Sequence, residues 1–407
     1  MPLTKRLSAI ATSLGLILVL NILLPAPART APVVLAQAKT PMSVITPQAA
    51  IERLFTTTSI QPDWFDSSFL AQVPLTQVQS IVASLKGELG AYRSVRSQGQ
   101  SYVVVFERGT VPTKIVLNAT GQIRGLLFQS GFRSLTDAVN AFKALPGDVS
   151  LLVIDGQSEQ VALNVDRPLA VGSTFKLAVL KALRSQIEAG QRSWRDIVTL
   201  ESERKSLPSG ILQGWPDGTP LTVESLASLM ISISDNTATD RLIHLVGREP
   251  IEAIAPRNRP FLTTREAFIL KSAKNSKWLQ RYRSGDSGQR RSLLPELAKL
   301  PLPTINEFES SPPALDVEWF FSVRELCSLI AQVQDLPLMT INPGVASAED
   351  WQRVAFKGGS EPGVINMTTW LEAKNGKRYC VSATWNHATV DNNRFAGLYQ
   401  GLIGALK

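Results

Sequence analysis

The chain has 407 residues, of which 44% are hydrophobic and 19% are charged. This composition supplies a large buried core and the length suits two or three domains, so a largely disordered chain is excluded. The formal net charge of +8 would suit an anionic partner, but we do not expect nucleic acid because the chain begins with an export signal.

Residues 1–38 have the composition of a signal peptide. Lys5 and Arg6 supply the basic start, Leu7–Leu24 is apolar, and Ala36-Gln37-Ala38 is a small-x-small cleavage site. The apolar run of about 18 residues is just long enough to span a bilayer, so an uncleaved N-terminal anchor is the alternative. We expect cleavage, and both interpretations place the rest of the protein outside the cytoplasm, in the periplasm or the extracellular medium.

Residues 46–132 have the pattern of a small α+β domain, with helices followed by an antiparallel meander. The predicted helices begin at Pro47 and cover Leu75–Leu89. The predicted strands are Ser101–Glu107, Thr113–Asn118 and Gln122–Gln129, with turns at Thr110–Pro112 and Ala119–Gly121. The segment contains no cluster of nucleophilic or charged side chains that indicates a reaction, so we interpret it as a packing or positioning module.

Residues 134–407 form the second predicted domain, which opens with a helix over Ser134–Leu145. The predicted strands lie near both ends of this domain and are Val149–Asp155, Val161–Val165, Arg353–Phe356, Val364–Ala373 and Arg378–Asn386. The predicted helices include Leu221–Ile233, Thr239–Val246, Val317–Val333 and the closing Arg394–Lys407. The pattern predicts one sheet built from both ends of the domain, with a helical block inserted between them.

The basic segment Lys271–Lys299 holds eight cations and two acids. We interpret it as a solvated helical face. Attraction to anionic polymers or lipids of the cell envelope is the alternative.

Cysteine and histidine are too few and too scattered for a zinc site. The chain has only Cys327, Cys380, His244 and His387. We therefore predict no metal and no cofactor, which disfavours a metal-dependent hydrolase. The two cysteines either form a disulfide, as an oxidising compartment allows, or remain buried free thiols.

Ser173 and Lys176 lie at the start of an apolar helical run. Residues three apart share one helix face, so the Lys176 amine lies over the Ser173 hydroxyl. Burial and the positive helix end lower the pKa of such a lysine, which can then take the hydroxyl proton. A helix N-cap followed by a solvated lysine is the alternative for any single Ser-x-x-Lys, and Ser202-x-x-Lys205 is a second example in a loop-like stretch.

Two further motifs follow in the chain. Ser234-Asp235-Asn236 lies at the exit of a predicted helix, where a helix cap is the simpler interpretation, and Lys357-Gly358-Gly359-Ser360 ends a predicted strand. A competing Lys374-Asn375-Gly376 is explained by a hairpin turn. Gly285-Asp286-Ser287-Gly288 resembles the nucleophile motif of chymotrypsin-like proteases, but it lies in a helical block without the partners which that all-β fold needs, so we interpret it as a polar turn.

Together, the order Ser-x-x-Lys, Ser-Asp-Asn and Lys-x-Gly resembles the penicillin-recognising serine hydrolases, most closely the class A β-lactamases. The resemblance covers about residues 134–407. It implies an α+β, β-lactamase/transpeptidase-like fold: an antiparallel sheet flanked by helices, with an inserted all-helical subdomain. The segment 46–132 more loosely resembles a cystatin-like or isomerase-like α+β domain.

The resemblance also implies a role for each matching residue. Ser173 matches the acylated nucleophile and Lys176 matches the residue that handles its proton. Ser234 matches the hydroxyl that passes a proton to the leaving nitrogen, and Lys357 matches the cation near the substrate carboxylate. The substrate-binding residues it implies are Asn236, Gly359 and Ser360, with the oxyanion hole formed by the backbone N–H groups of Ser173 and Ser360.

Two departures from the family pattern concern Gly358 and Glu266. Gly358 stands where the family has Thr or Ser, which removes a hydroxyl. The deacylation base of class A enzymes lies in a Glu-x-x-Leu-Asn loop, and Glu266 is the nearest candidate here, without the Asn four residues later. A salt-bridged glutamate is the equal alternative for Glu266.

We therefore expect an exported, metal-free serine hydrolase that opens β-lactam amides, a monomer with a small-molecule substrate. A D,D-peptidase or esterase with the same residues is the first alternative. The second is a penicillin-binding sensor that is acylated and does not turn over.

Overall fold

A computed structural model describes residues 45–98, 101–128, 131–132, 134–308 and 314–406. The signal peptide predicted at 1–38 lies outside the described residues. The chain divides into two compact units: Val139–Tyr399 is the C-terminal unit, and the described residues up to Ala138 form the N-terminal unit together with Gln400–Leu406. The domain boundary proposed from the sequence, between 132 and 134, stays a prediction.

The N-terminal unit packs helices on an antiparallel sheet. Its helices are α1 (Pro47–Thr56), α2 (Ser67–Leu70) and α3 (Leu75–Leu89). Its strands are β1 (Tyr92–Gln98), β2 (Ser101–Phe106), β3 (Gly109–Leu117), β4 (Ile123–Phe128) and β5 (Gly131–Phe132). The sheet order is β1-β2-β3-β4, with β5 beside β3. Helix α1 begins where the sequence places Pro47, because the Thr46 side chain accepts a hydrogen bond from the Ala49 N–H and Pro47 takes a first-turn position.

The turn predicted at Thr110–Pro112 is wrong, because these residues lie inside β3. Pro112 faces Val103 of β2, and on the other side of β3 it lies between the pairings with β5 and β4. A residue without an N–H can occupy such a gap in the ladder. Strand β1 was missed, because Val95 is the single buried residue among Tyr92–Ser97 and the alternation is weak.

The C-terminal unit is built on a five-stranded antiparallel sheet with the order β12-β13-β14-β6-β7. The strands are β6 (Asp148–Asp155), β7 (Ser158–Leu163), β12 (Arg353–Glu361), β13 (Val364–Glu372) and β14 (Arg378–Asn386). Two short pairs lie outside it: β8 (Leu169–Ala170) with β11 (Phe320–Phe321), and β9 (Ile197–Thr199) with β10 (Pro220–Thr222). The sheet therefore joins both ends of this part of the chain, as the sequence predicts. The strand predicted at Val161–Val165 is observed at Ser158–Leu163, because the turn between β6 and β7 takes only Gly156 and Gln157.

The helices lie mainly between β8 and β12. They are α4 (Leu135–Lys143), which crosses the division between the units, α5 (Lys176–Glu188), α6 (Val223–Ser232), α7 (Asn236–Val246), α8 (Arg248–Ile254), α9 (Thr264–Lys271), α10 (Ser276–Ser284), α11 (Ser287–Leu297), α12 (Val323–Ala331) and α13 (Asn392–Gly404). Helix α5 is the central one, with Leu177–Leu180 fully buried. Among the helices of the described residues, none is both long and apolar enough to cross a bilayer.

A disulfide between Cys327 and Cys380 joins α12 to β14, which decides between the two alternatives for these cysteines. The basic segment Lys271–Lys299 covers the end of α9 together with α10 and α11. With partners in the described part of the chain, five of its eight cations form ion pairs, and these five are Lys271, Lys274, Arg281, Arg283 and Arg291. Contact with the cell envelope stays a prediction.

Candidate active site

Ser173 lies in a short 3₁₀ turn, Gly172–Phe175, that leads directly into α5. The turn is anchored on the segment before β11, because the Val171 N–H donates to the Trp319 carbonyl at 3.1 Å and the Phe175 ring stacks on Trp319 at 3.9 Å between centroids. Ser173 is partly exposed, while the residues on both sides of it are buried. The serine is therefore the one position of this turn that a substrate can reach.

The end of β12 lies against this turn. A Cβ added to Gly359 would stand 2.5 Å from the Ser173 backbone nitrogen, and a Cβ on Gly172, whose φ is +50°, would stand 3.2 Å from the Ser360 nitrogen. A side chain at 359 would collide with backbone, and one at 172 would be crowded and strained by the positive φ. The contact brings the Ser173 and Ser360 backbones together, which is the arrangement that an oxyanion hole requires.

Lys176 is fully buried and its ammonium is surrounded by oxygen acceptors from the Ser-Asp-Asn segment. Its Nζ donates to the Ser234 carbonyl at 2.6 Å, to Ser234 Oγ at 3.0 Å and to Asn236 Oδ1 at 2.7 Å. Asn236 is held in turn by a hydrogen bond from its Nδ2 to the Leu207 carbonyl at 3.0 Å. The first two sequence motifs therefore meet directly through the lysine.

Lys357 supplies the third motif from the neighbouring strand. Its Nζ donates to Ser234 Oγ at 3.0 Å, and its side chain is 2% exposed. The Ser234 hydroxyl therefore lies between two buried lysines, which can exchange a proton through it.

The segment between α6 and α7 holds Ser234 in a strained backbone conformation. Its φ of 57° is uncommon for a residue with a side chain and costs about 1–2 kcal/mol. The side chain of Asp235 fixes the segment, since it accepts hydrogen bonds from the N–H groups of Ala238, Ile211 and Leu212 at 2.6–2.9 Å. Asp235 also caps α7, as the sequence suggests. Such strain is typical of functional positions.

Burial lowers the pKa of Lys176 to about 7, against the opposing charges of Asp235, Asp240 and Glu361. Burial also lowers the pKa of Lys357, and the nearby Lys176 charge adds to this effect. A neutral Lys176 is therefore available near neutral pH, and a neutral amine can accept the proton of a serine hydroxyl.

Glu266 lies in a helix that the sequence did not indicate, at the third position of α9. Its Oε2 accepts the Thr263 N–H at 2.8 Å and its Oε1 accepts from Arg248 at 2.7 Å, so it completes a capping box and a buried ion pair. These contacts account for both carboxylate oxygens. The hydrogen bonds of Lys176, Ser234 and Lys357 form a connected network, and in the described part of the chain Glu266 is not one of its partners.

The remaining substrate-binding candidate and the unusual glycine lie on β12. Ser360 Oγ accepts a hydrogen bond from Asn392 Nδ2 at 3.0 Å. A Cβ on Gly358 would stand 2.9 Å from Cζ of Phe356, so the Thr or Ser that is usual in the family it resembles would require this ring to shift.

The two other serine motifs have structural roles. Ser202 Oγ and Lys205 Nζ both bind the Asp217 carboxylate, which occupies the polar groups of this second Ser-x-x-Lys. Asp286 caps α11, so Ser287 begins a helix and the predicted polar turn is wrong in this detail.

Sequence reasoning missed two acidic side chains beside the site. Asp240 lies one turn after Asn236 and accepts the N–H groups of Thr264 and Arg265 at 2.7 and 2.9 Å, while burial raises its pKa to about 7. Glu361, immediately after Ser360, forms an ion pair with Lys271. Asp240 could have been identified from its position four residues after Asn236. The pairing of Lys271 with Glu361 could not, because these two residues are 90 positions apart in the chain.

Residues 133–279 match the Beta-lactamase enzyme family. The β-lactamase VEB-1 of Pseudomonas aeruginosa is 27% identical over 112 residues, which is 26% of this chain and 37% of that protein. The match thus spans little more than a third of that relative.

Among solved structures, a β-lactamase from Sphaerobacter thermophilus is 23% identical with a TM-score of 0.47, over 66% of this chain and 95% of that one. An ancestral class A β-lactamase is 17% identical with a TM-score of 0.46, over 67% and 97%. With the antiparallel sheet and inserted helices described above, the family match confirms the expected α+β, β-lactamase-like fold of the serine hydrolases.

Proposed function

We propose that this chain is an exported serine hydrolase that opens β-lactam amides through an acyl-enzyme on Ser173. The observation that carries the proposal is the Ser234 hydroxyl bound by Lys176 and Lys357, each at 3.0 Å. This network supplies a base, a proton path and a cation beside a reachable serine.

In the proposed reaction the substrate carbonyl oxygen accepts hydrogen bonds from the Ser173 and Ser360 backbone N–H groups. Neutral Lys176 takes the Ser173 proton as Oγ attacks the carbonyl carbon. The C–N bond then breaks and the leaving nitrogen takes a proton through Ser234. Water hydrolyses the acyl-enzyme and restores the serine.

Turnover of a chromogenic cephalosporin tests this function against its alternatives. A hydrolase consumes many equivalents of substrate per enzyme. One equivalent consumed, with a stable mass increase on the protein, would instead support a penicillin-binding sensor. Hydrolysis of D-alanyl peptides or simple esters without cephalosporin turnover would support a D,D-peptidase or an esterase.

Lys357 provides a second test, because its proposed task is to attract the substrate carboxylate. A bound carboxylate favours the charged lysine, whose pKa burial otherwise lowers. Lys357→Ala should slow acylation by acidic β-lactams far more than by neutral esters. Equal losses would show that Lys357 acts on the chemistry and not on substrate charge.

The proposed export rests on residues 1–38. N-terminal sequencing of the mature protein should begin near Lys39. A start at Met1 in a membrane fraction would support the anchor.

A further inference from the structure

A partly buried cluster of three charged side chains lies where β12 ends. The Lys271 ammonium contacts the carboxylates of both Glu318 and Glu361, and the side chains of the three are 11%, 1% and 17% exposed. Lys271 supplies one positive charge against two carboxylates, and Glu318 is the more buried of these two acids. Burial and the neighbouring Glu361 charge raise the pKa of Glu318. Burial alone would raise the pKa of Glu361, but Lys271 and a hydrogen bond with Glu318 hold it below its usual value.

Glu361 lies on the same face of β12 as the groups that build the site. Alternate residues of a strand share a face, so Lys357, Gly359 and Glu361 point to one side. Lys357 on that face binds Ser234, and Gly359 lies against Ser173. The regular pairing of β12 with β13 continues through Glu361, which pairs with Val364. Glu361 is therefore the next side chain along the face that holds the nucleophile.

The carboxylates of Asp235, Asp240 and Glu361 act electrostatically on Lys176. They differ in their hydrogen-bond partners and in their exposure to solvent. Asp235 and Asp240 each accept hydrogen bonds from backbone N–H groups on both oxygens. In Glu361 it is Oε2 that contacts Lys271, and 17% of the side chain is exposed. Solvent therefore reaches the Glu361 side chain, whereas Asp235 and Asp240 are buried.

We propose that Glu361 is the general base that activates the water for deacylation, with Lys271 and Glu318 as positioning residues. The inference rests on the proposed acyl-enzyme at Ser173. Water gives a proton to Glu361 as its oxygen forms a bond to the acyl carbon. The bond between that carbon and Ser173 Oγ then breaks, and the proton returns to Ser173 Oγ. The products are the free carboxylic acid and the restored serine.

The experiment compares acylation and deacylation rates separately, by intact-protein mass spectrometry after mixing with benzylpenicillin. Glu361→Gln should be acylated at Ser173 within a few-fold of the wild-type rate. Its deacylation should slow by about 10²–10⁴-fold, the usual contribution of a general base. Glu372→Gln on β13 is the matched control and should match the wild type in both steps.

Two further measurements separate a base from a structural acid. Glu361→Ala should regain deacylation when formate is added, because a small carboxylate can occupy the vacated space. Lys271→Met should move the acid limb of the deacylation profile to higher pH, because the ammonium lowers the pKa of Glu361. The charged groups that face Glu361 are Lys271 on α9, Glu318 before β11 and Lys176 on α5.

Several results would overturn the inference. The first is a Glu361→Gln variant that is acylated and deacylated at the wild-type rates. The second is accumulation of acyl-enzyme in Glu266→Gln but not in Glu361→Gln, which would make Glu266 the base. The third is a wild-type protein that stays acylated with Glu361 intact. If neither Glu361 variant is acylated, Glu361 is a structural member of the cluster and the base role is rejected. The proposed function itself fails only if wild-type Ser173 is not acylated at all.

Discussion

Gly359 lies so close to Ser173 that a Cβ at position 359 would stand 2.5 Å from the Ser173 backbone nitrogen. The same added atom would lie 2.2 Å from the Val171 carbonyl oxygen. These neighbours are backbone atoms, which cannot rotate away as a side chain can. The distance between β12 and the Gly172–Phe175 turn therefore depends on glycine at this position.

Gly359→Ala should therefore separate the two N–H groups of the proposed oxyanion hole. Loss of one such donor typically costs about 10²–10³-fold in rate, and we expect acylation by benzylpenicillin to fall by at least this order. Stopped-flow measurement of acylation tests it. Gly214→Ala is the control, since a Cβ there meets nothing within 4 Å. Equal rates in the wild type and Gly359→Ala would rule out this arrangement of donors.

The pKa of Lys176 predicts the pH dependence of acylation. Burial lowers this pKa to about 7, so the neutral amine that can accept a proton is present above that pH and lost below it. The acylation rate constant should rise as pH increases through about 7 and then level off. Lys176→Arg should acylate very slowly across the same range, because a guanidinium stays protonated. A wild-type rate that is flat from pH 5 to 9 would contradict the assignment of Lys176 as the base.

The backbone of Ser234 predicts a difference between two variants at the same position. Ser234→Gly and Ser234→Ala both remove the hydroxyl bound by the two lysines, so both should lose acylation. Glycine accepts the φ of 57° without steric cost, whereas alanine does not. The free energy of unfolding of Ser234→Gly should exceed that of Ser234→Ala by about 1 kcal/mol, measured by urea denaturation. Equal stabilities would indicate that the backbone at 234 carries no strain.

The disulfide between Cys327 and Cys380 closes a loop with a sequence separation of 53. The entropy of a loop of this length corresponds to a stabilisation of about 4 kcal/mol. Reductant should lower the Tm of the oxidised wild type. The double variant Cys327→Ala, Cys380→Ala should have a lower Tm that does not respond to reductant. No change in the wild-type Tm after complete reduction would show that the bridge does not stabilise the fold.

Much of this architecture could be predicted from the sequence, because the strongest signals are local. The hairpin of β13 and β14 follows from period-two apolar residues around Asn375-Gly376, and α3 follows from its 3.6-residue pattern. The order of the three motifs along the chain could be predicted, but the contacts between them could not. Only the fold brings Lys357 to Ser234, 123 residues apart in the chain.

Features that depend on tertiary packing were not predictable in the same way. Glu266 looked like a loop acid, but Thr263 and Arg248 bind it at the start of a helix. The Lys271, Glu318 and Glu361 cluster joins residues from separate elements, and no spacing rule relates them. The residues around Pro112 predicted a turn, but Pro112 lies within β3. Whether a strand tolerates a proline depends on which strands pair on either side of it, and the sequence does not show this.

Covalent labelling of Ser173 tests the central claim most directly. The wild type and three variants, Ser173→Ala, Ser202→Ala and Ser173→Cys, are incubated with a fluorescent penicillin, and the labelled peptide is identified by mass spectrometry. The account predicts one label per protein on the peptide that contains Ser173, unchanged labelling in Ser202→Ala, and none in Ser173→Ala with an unaltered Tm. A thiol is itself a nucleophile, so any label on Ser173→Cys should map to position 173. Label that persists in a folded Ser173→Ala protein would contradict the account.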